Sequence, residues 1–262
     1  MNSKKLVAVT IPIYKKEIDK YELMSLTQCV KVLFKHPIIF FAPNSLDTNF
    51  YERFCEGKVD YRIERFEDYY FSGIPGYNKL MLSKIFYKRF IEFKYILIYQ
   101  LDAFVFRDEL EYWCNKNYFY IGAPYIFVDL DTYPIKFLTK YRALLKLLNS
   151  IGFKIYSYRH VGNGGLSLRN VPKTLQLLFL CNKCAKSWTT LMEDNFFCYW
   201  GNILFFYFNL AKEKDAARFS IELNPKETFK VIENQIPFGT HAFLKYDVDF
   251  WKPIFEKHKF II

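Results

Sequence analysis

Apolar positions along the chain follow two periods, and the switch between them marks out the elements. Residues 6–13 form a nearly continuous, β-branched apolar run closed by Pro12, which predicts a buried first strand. Residues 22–33 place Leu23, Leu26, Val30 and Leu33 at helical spacing, and His36-Pro37 stops that helix. Residues 38–42 and 61–66 read as the next two strands. A strand–helix–strand opening of this kind predicts a parallel sheet with right-handed crossovers. Residues 77–90 are helical by period and are entered from the turn Gly73-Ile74-Pro75-Gly76. Residues 95–106 read as one central strand, interrupted only by Gln100 and Asp102. A strand is expected at 118–124 and a short helix at 138–148. A tight turn at 162–165 feeds a strand to 168, and helices follow at 171–184 and 194–207. Beyond Asn224 the pattern is loop-like. With no linker or repeat, this is one α/β domain over 1–262, with a mainly parallel central sheet flanked by helices.

Composition narrows the class. Hydrophobic residues make up 52% and charged residues 24%, which excludes a disordered chain. Aromatics reach 21%, but Phe, Tyr, Lys, Ile and Asn are abundant together, so we read this as AT-rich coding and not as a functional signal. The start of the chain carries no secretory pattern, and the apolar block 203–211 falls short of the ~20 residues of a membrane helix. A soluble, cytoplasmic protein is the expectation. Six scattered cysteines make no disulfide framework, and Cys181/Cys184 is a lone CxxC without the further ligands a zinc site needs. The excess of 37 Lys+Arg over 27 Asp+Glu, net +10, calls for an anionic partner. Phosphorylated small molecules or an anionic membrane surface touched peripherally would satisfy it. Nucleic acid is not expected, because the lysines are dispersed and no recognition motif is present.

The most informative position is Asp102. A carboxylate at the carboxyl end of a central strand lies where open α/β sheets bind ligands, and burying it costs energy unless a cation or donors compensate. The competing structural reading is a turn cap or a pair with Arg107.

Here a resemblance enters. The run Gln100-Leu101-Asp102-Ala103-Phe104, with the helix before it, resembles nucleotide-sugar-dependent glycosyltransferases of the GT-A (Rossmann-like) fold. Their Asp-x-Asp binds a divalent metal and the donor diphosphate. This chain has Gln100 where the first Asp is expected, so only Asp102 is carried over as the metal carboxylate. Gly162-Asn163-Gly164-Gly165 resembles the glycine loop lining the donor sugar, with Asn163, Gly164 and Gly165 as its binding residues. Two glycines there would let backbone amides approach a ligand. Glu193-Asp194-Asn195-Phe196-Phe197 is similar to the acidic pair of inverting members, with Asp194 as general base and Glu193 positioning the acceptor. The plainer alternative is two acids complementing a helix dipole. Pro237-Phe238-Gly239-Thr240-His241-Ala242 adds a late histidine of the kind that completes the metal shell. Together the four motifs resemble a family of small bacterial and viral GT-A-like proteins (DUF5672-like).

The resemblance implies a UDP- or GDP-sugar donor, a glycan or lipid-linked acceptor, and Mn²⁺ or Mg²⁺ held by Asp102 and His241. It also implies a nucleotide-binding part at about 1–125 and an acceptor-side part at about 126–262. Acceptor loops are expected at 128–140 and 187–192. Thr10, Pro12 and Tyr14, just past the first strand, lie where such folds bind the base, and Lys79 or Lys84 would reach the phosphates. A loose Lys252-Pro253 match recurs near the end of the chain. A different class of function, a basic binding module without catalysis, would use the charge and the aromatics but leaves Asp102, Glu193 and Asp194 unexplained.

Overall fold

The computed structural model describes residues 4–125, 143–144, 147–148, 150–152, 159, 161–188, 192–205, 207–260 and 262. A six-stranded sheet runs through the middle in the order β3-β2-β1-β4-β7-β6. Its strands are β1 (Lys5–Pro12), β2 (Ile38–Pro43), β3 (Tyr61–Phe66), β4 (Phe93–Tyr99), β6 (Tyr120–Ile121) and β7 (Leu166–Asn170). The pairs β1/β2, β2/β3 and β1/β4 are parallel, while β7 runs antiparallel to both β4 and β6. A second, three-stranded sheet has β9 (Gly239–His241) between β5 (Ala103–Val105) and β8 (Ser220–Ile221).

Strand alternation explains the two layers. Val7, Val9 and Ile11 of β1 and Tyr95, Leu97 and Tyr99 of β4 face one apolar cluster, shared with Leu26 and Cys29 of helix α1 (Lys20–Val32) and its C-cap Leu33. The intervening Ala8, Ile96 and Ile98 face the other, an aromatic cluster with Phe86, Tyr87, Phe196 and Phe197. Because both faces are covered, the strands read as continuous apolar runs. Helix α1 starts where Asp19 accepts from the Tyr21 and Glu22 amides and Glu22 returns a bond to the Asp19 amide.

Several expectations change, among them the helix expected over 171–184, which is two, Val171–Leu180 and Asn182–Ser187. The helix expected over 77–90 is two, Gly73–Met81 and Lys84–Lys88, because the Ser83 hydroxyl caps the second by accepting from the Phe86 amide. The strand expected over 95–106 is also two. The Ala103 amide bonds to the Gln100 carbonyl, closing a turn at 101–102 that sends the chain from the large sheet into the small one. The segment beyond Asn224 is not loop-like. It holds helix Pro225–Val231, strand β9 and helix Val248–Lys257. Trp251 and Phe255 bury there against Phe104 and Phe106, so the pattern was amphipathic over turns too short to show periodicity. Short helices at Asn49–Cys55 and Leu110–Asn115 were not anticipated. Of the helix expected at 138–148, residues 143–144 and 147–148 are described and are helical. The acceptor loop expected at 128–140 lies outside the described residues, as do 189–191 of the second.

Candidate functional site

The turn after β4 is built from beneath. Helix α1 sends Ser25 Oγ to the Ala103 carbonyl at 2.6 Å and Gln28 Nε2 to the Val105 carbonyl at 2.8 Å. The Tyr99 hydroxyl reaches the same Ala103 carbonyl at 3.0 Å. These buried bonds fix the turn that presents Gln100 and Asp102. The Ala242 amide bonds to the Asp102 carbonyl at 3.0 Å, so β9 brings His241 alongside.

His241 is the hub. Its Nε2 lies 3.0 Å from Asp102 Oδ1 and 3.2 Å from Gln100 Oε1, and its Nδ1 lies 2.7 Å from Glu222 Oε2. Burial alone would lower its pKa, but bonds and attraction to Asp102 and Glu222 outweigh that and raise it to about 10. Burial pushes the Asp102 carboxyl up, and its bond to His241 overrides this and holds it below the usual value.

The glycine motif serves this arrangement in a way the sequence did not suggest. A Cβ on Gly165 would sit 1.9 Å from His241 Nε2, and one on Gly164 would sit 2.9 Å from Glu193 Oε1. The two glycines therefore clear space for two charged side chains from other parts of the fold. Asn163 Oδ1 accepts from the Gly165 amide at 3.3 Å, and the Gly165 carbonyl accepts from the Gln100 amide at 2.9 Å.

Beyond Gly164 lies a second charged group. Glu193, at the start of helix Glu193–Ile203, is 3% exposed and bonds through Oε1 to Arg169 Nη2 at 2.5 Å. Arg169 is fully buried on β7, with Nη1 donating to the Tyr87 hydroxyl at 2.9 Å and the guanidinium 5.1 Å from the Phe197 ring centroid. Asp194 is also buried. Its Oδ2 accepts from the Tyr125 hydroxyl at 2.8 Å and its Oδ1 from the Asn195 amide at 2.6 Å. Burial first, then repulsion from Glu193, raises its pKa to about 8. The two acids thus differ: Glu193 is locked in an ion pair, and Asp194 has a high affinity for a proton.

A cavity of about 610 Å³ opens above the 100–102 turn, within the range of small-ligand sites. Pro12, Tyr14, Lys15, Tyr77, Gln100 and Asp102 are among its lining residues. Thr10 does not line it, because its hydroxyl is buried and bonded to the Leu97 carbonyl at 2.9 Å. Neither Lys79 nor Lys84 lines it. Lys79 Nζ lies over the Tyr69 ring, and Lys84 Nζ, on the separate helix that Ser83 caps, lies over the Phe179 ring. Lys252 pairs with Asp249 on the last helix and does not line it either. The cation at the cavity wall is Lys15, held at 2.6 Å by Glu22. Sequence reasoning missed Lys15, Glu222 and Arg169. Lys15 directly follows Tyr14, whereas nothing local marks Glu222 or Arg169.

Among the described residues no three His, Cys, Asp or Glu side chains converge as a metal cage. The donors that do converge, Asp102 Oδ1, His241 Nε2 and the Gln100 amide oxygen, still fit a divalent ion completed by phosphate and water oxygens. Glu222 accepts from Nδ1–H, so Nε2 would be the ligating nitrogen once a bound ion displaced the proton it shares with Asp102.

The family profile described as "Protein of unknown function (DUF5672)" matches residues 60–241. The chain belongs to this family. No curated protein sequence matches it. Among solved structures, the chain is similar to the WbbM bifunctional glycosyltransferase, with a TM-score of 0.53 and 10% identity over 92% of this chain and 46% of that one. Mouse xyloside xylosyltransferase 1 aligns at a TM-score of 0.49 and 9% identity over 90% of this chain and 96% of that one. The glycosyltransferase GlyE of Streptococcus pneumoniae aligns at 0.48 and 10% over 92% and 55%. This chain therefore spans under half of WbbM and just over half of GlyE. At 10% identity the likeness to WbbM speaks for the fold alone, which is of the GT-A kind.

Proposed function

We propose that this protein transfers a sugar from a nucleoside-diphosphate sugar to a hydroxyl of a glycan or lipid-linked acceptor, with inversion, in surface-polysaccharide or glycoconjugate synthesis. One observation carries the reading. A cavity of nucleotide size is floored by Gln100 and Asp102, and Asp102 contacts His241, which packs on Gly165; the next glycine, Gly164, packs on Glu193 of a buried acidic pair outside the cavity lining, one member held structurally and the other able to take a proton.

Tyr14, 58% exposed at the cavity wall, offers a face for a nucleobase, and Lys15 offers charge to a phosphate. Asp102 and His241 would hold Mn²⁺ or Mg²⁺, with Gln100 beside them. When bound, that ion would neutralise charge developing on the diphosphate leaving group. Gly164 and Gly165 let Glu193 and His241 stand close to the reacting region. Arg169 fixes Glu193, which orients the acceptor side. Asp194 accepts the acceptor hydroxyl proton as the oxygen attacks the anomeric carbon and the diphosphate departs. Its raised pKa makes it a stronger base than an exposed Asp, once ionised.

The test is a sugar-nucleotide panel incubated with the protein, with and without Mn²⁺. Saturable binding of UDP or GDP and release of nucleoside diphosphate on addition of acceptor support the reading. No binding of any nucleotide across the panel overturns it. Binding of oligonucleotides in preference to nucleotides would favour the non-catalytic module, which the Asp19, Glu22 and Asp102 carboxylates lining the cavity disfavour by repulsion of a polyanion.

A further inference from the structure

A face away from the cavity combines protruding apolar side chains with unopposed lysines. Helix Lys84–Lys88 packs on helix Val171–Leu180, and helix Asn182–Ser187 continues from it. At this junction Phe179 is 70% exposed, Leu180 61% and Ile85 55%. The Lys84 ammonium lies 5.6 Å from the Phe179 ring centroid. Lys88 follows Lys84 by one helical turn on the same side, and Lys183 and Lys186 are exposed on the helix that follows Leu180.

The charge pattern is one-sided. Segments 69–91 and 171–188 contain Lys79, Lys84, Lys88, Arg89, Lys173, Lys183 and Lys186 and not one Asp or Glu. Arg89 pairs with Glu64, and Lys173 donates to the Tyr207 carbonyl. Among the described residues, Lys84, Lys88, Lys183 and Lys186 form no ion pair with a carboxylate. Some lysines elsewhere on the surface are paired, as at Lys15–Glu22, Lys214–Glu233 and Lys226–Asp247. Exposed apolar side chains beside cations without a carboxylate partner are the pattern of an interaction surface.

We propose that this face docks on an anionic lipid bilayer, with Phe179, Leu180 and Ile85 entering the headgroup–acyl boundary and Lys84, Lys88, Lys183 and Lys186 meeting lipid phosphates. The chemistry needed is an apolar phase directly beneath a sheet of negative charge, which a membrane interface supplies and a soluble polyanion does not. Long lysine stems suit this geometry, since they lie along apolar surface while the ammonium stays with the headgroups. Such docking is independent of the catalytic reading. Should that reading hold, it would bring the enzyme to lipid-linked acceptors.

The experiment is sedimentation of the full chain with vesicles of phosphatidylcholine alone and with 30% phosphatidylglycerol (~30% anionic lipid, within the range in which each basic side chain contributes measurably). Binding should be at least about tenfold stronger to the anionic vesicles and should fall steeply with added salt. The pair Phe179→Ser/Leu180→Ser should lose most binding to both, and Lys183→Glu/Lys186→Glu should abolish the preference for anionic lipid. All four positions are exposed, so melting temperatures should stay near wild type, and transfer to a soluble acceptor should be unchanged. Equal binding to both vesicle types, no binding at low salt, or wild-type binding by either variant overturns the proposal. So does light scattering that finds a dimer which the Phe179/Leu180 variant dissolves, since the face would then be an interface between two copies of this chain.

Discussion

Replacing Gly165 with alanine adds one methyl group and tests the glycine motif at its tightest point. The new Cβ would lie 1.9 Å from His241 Nε2, 2.3 Å from Cδ2 and 2.3 Å from Cε1, so it meets the face of the ring and not a flexible tip. Ordinary contact lies near 3.5 Å, so the ring must retreat by about 1.5 Å. It cannot do so while keeping both its 2.7 Å bond to Glu222 and its 3.0 Å contact with Asp102. The backbone cannot yield easily either, since the Gly165 carbonyl is bonded to the Gln100 amide. Loss of one charge-assisted bond and the strain of the rest should cost about 2–4 kcal/mol, which lowers the melting temperature by roughly 5–10 °C. A displacement of about 1 Å at a reacting site costs on the order of 100-fold in rate, so turnover should fall at least that far. Melting curves and diphosphate release from the same preparation measure both. Gly164→Ala is the internal comparison. Its Cβ would meet the Glu193 carboxylate at 2.9 Å, a milder clash that should perturb the acidic pair and leave metal affinity alone. A Gly165→Ala protein with wild-type melting and wild-type turnover refutes the argument that this glycine exists to admit His241.

Asp194→Asn should fold normally and lose about two to four orders of magnitude in turnover, read by single-turnover kinetics. Because the ionised form is the base and its pKa is raised to about 8, kcat/KM of the wild type should climb through an inflection near that pH and flatten above it. The same shift has a stability consequence: the folded state holds the Asp194 proton more tightly than the unfolded chain, so this contribution is present below about pH 4 and is lost as pH rises through about 8. Wild type should therefore lose stability over that window relative to Asp194→Asn, as denaturant midpoints at several pH values would reveal. Glu193→Gln strands the buried Arg169 charge and should cost about 3–5 kcal/mol in denaturant unfolding; a loss within experimental error would contradict the burial of that pair. Glu222→Ala should weaken Mn²⁺ binding by about 10–100-fold, measured by the loss of free-Mn²⁺ signal in electron paramagnetic resonance, with Glu222→Gln recovering part of it. Excess chelator should abolish diphosphate release if Asp102 and His241 are ligands.

The chain's local pattern determined the central sheet. The apolar runs of β1, β2 and β4 are buried on both faces, which is a property each strand carries in its own residues. The pattern also drew attention to Asp102, a charge that interrupts an apolar run, whereas Gly164, Gly165, Glu193, Asp194 and His241 stood out only through the family resemblance of their motifs. It erred where a single polar residue redirected the chain. Ser83 split one helix, and Gln100 ended one strand and began a turn, since a hydrogen bond worth about 1 kcal/mol suffices when the alternative continuation is weak. Only the tertiary structure decided which groups meet. Residues 102, 222 and 241 come together because β5, β8 and β9 pair in a small sheet, and Arg169 reaches Glu193 because β7 is inserted antiparallel beside β4. Glu222 and Arg169 look like ordinary surface charges in a one-dimensional reading. Their burial and their partners come from strand pairings far apart in sequence, and so does the small clearance that makes Gly164 and Gly165 necessary.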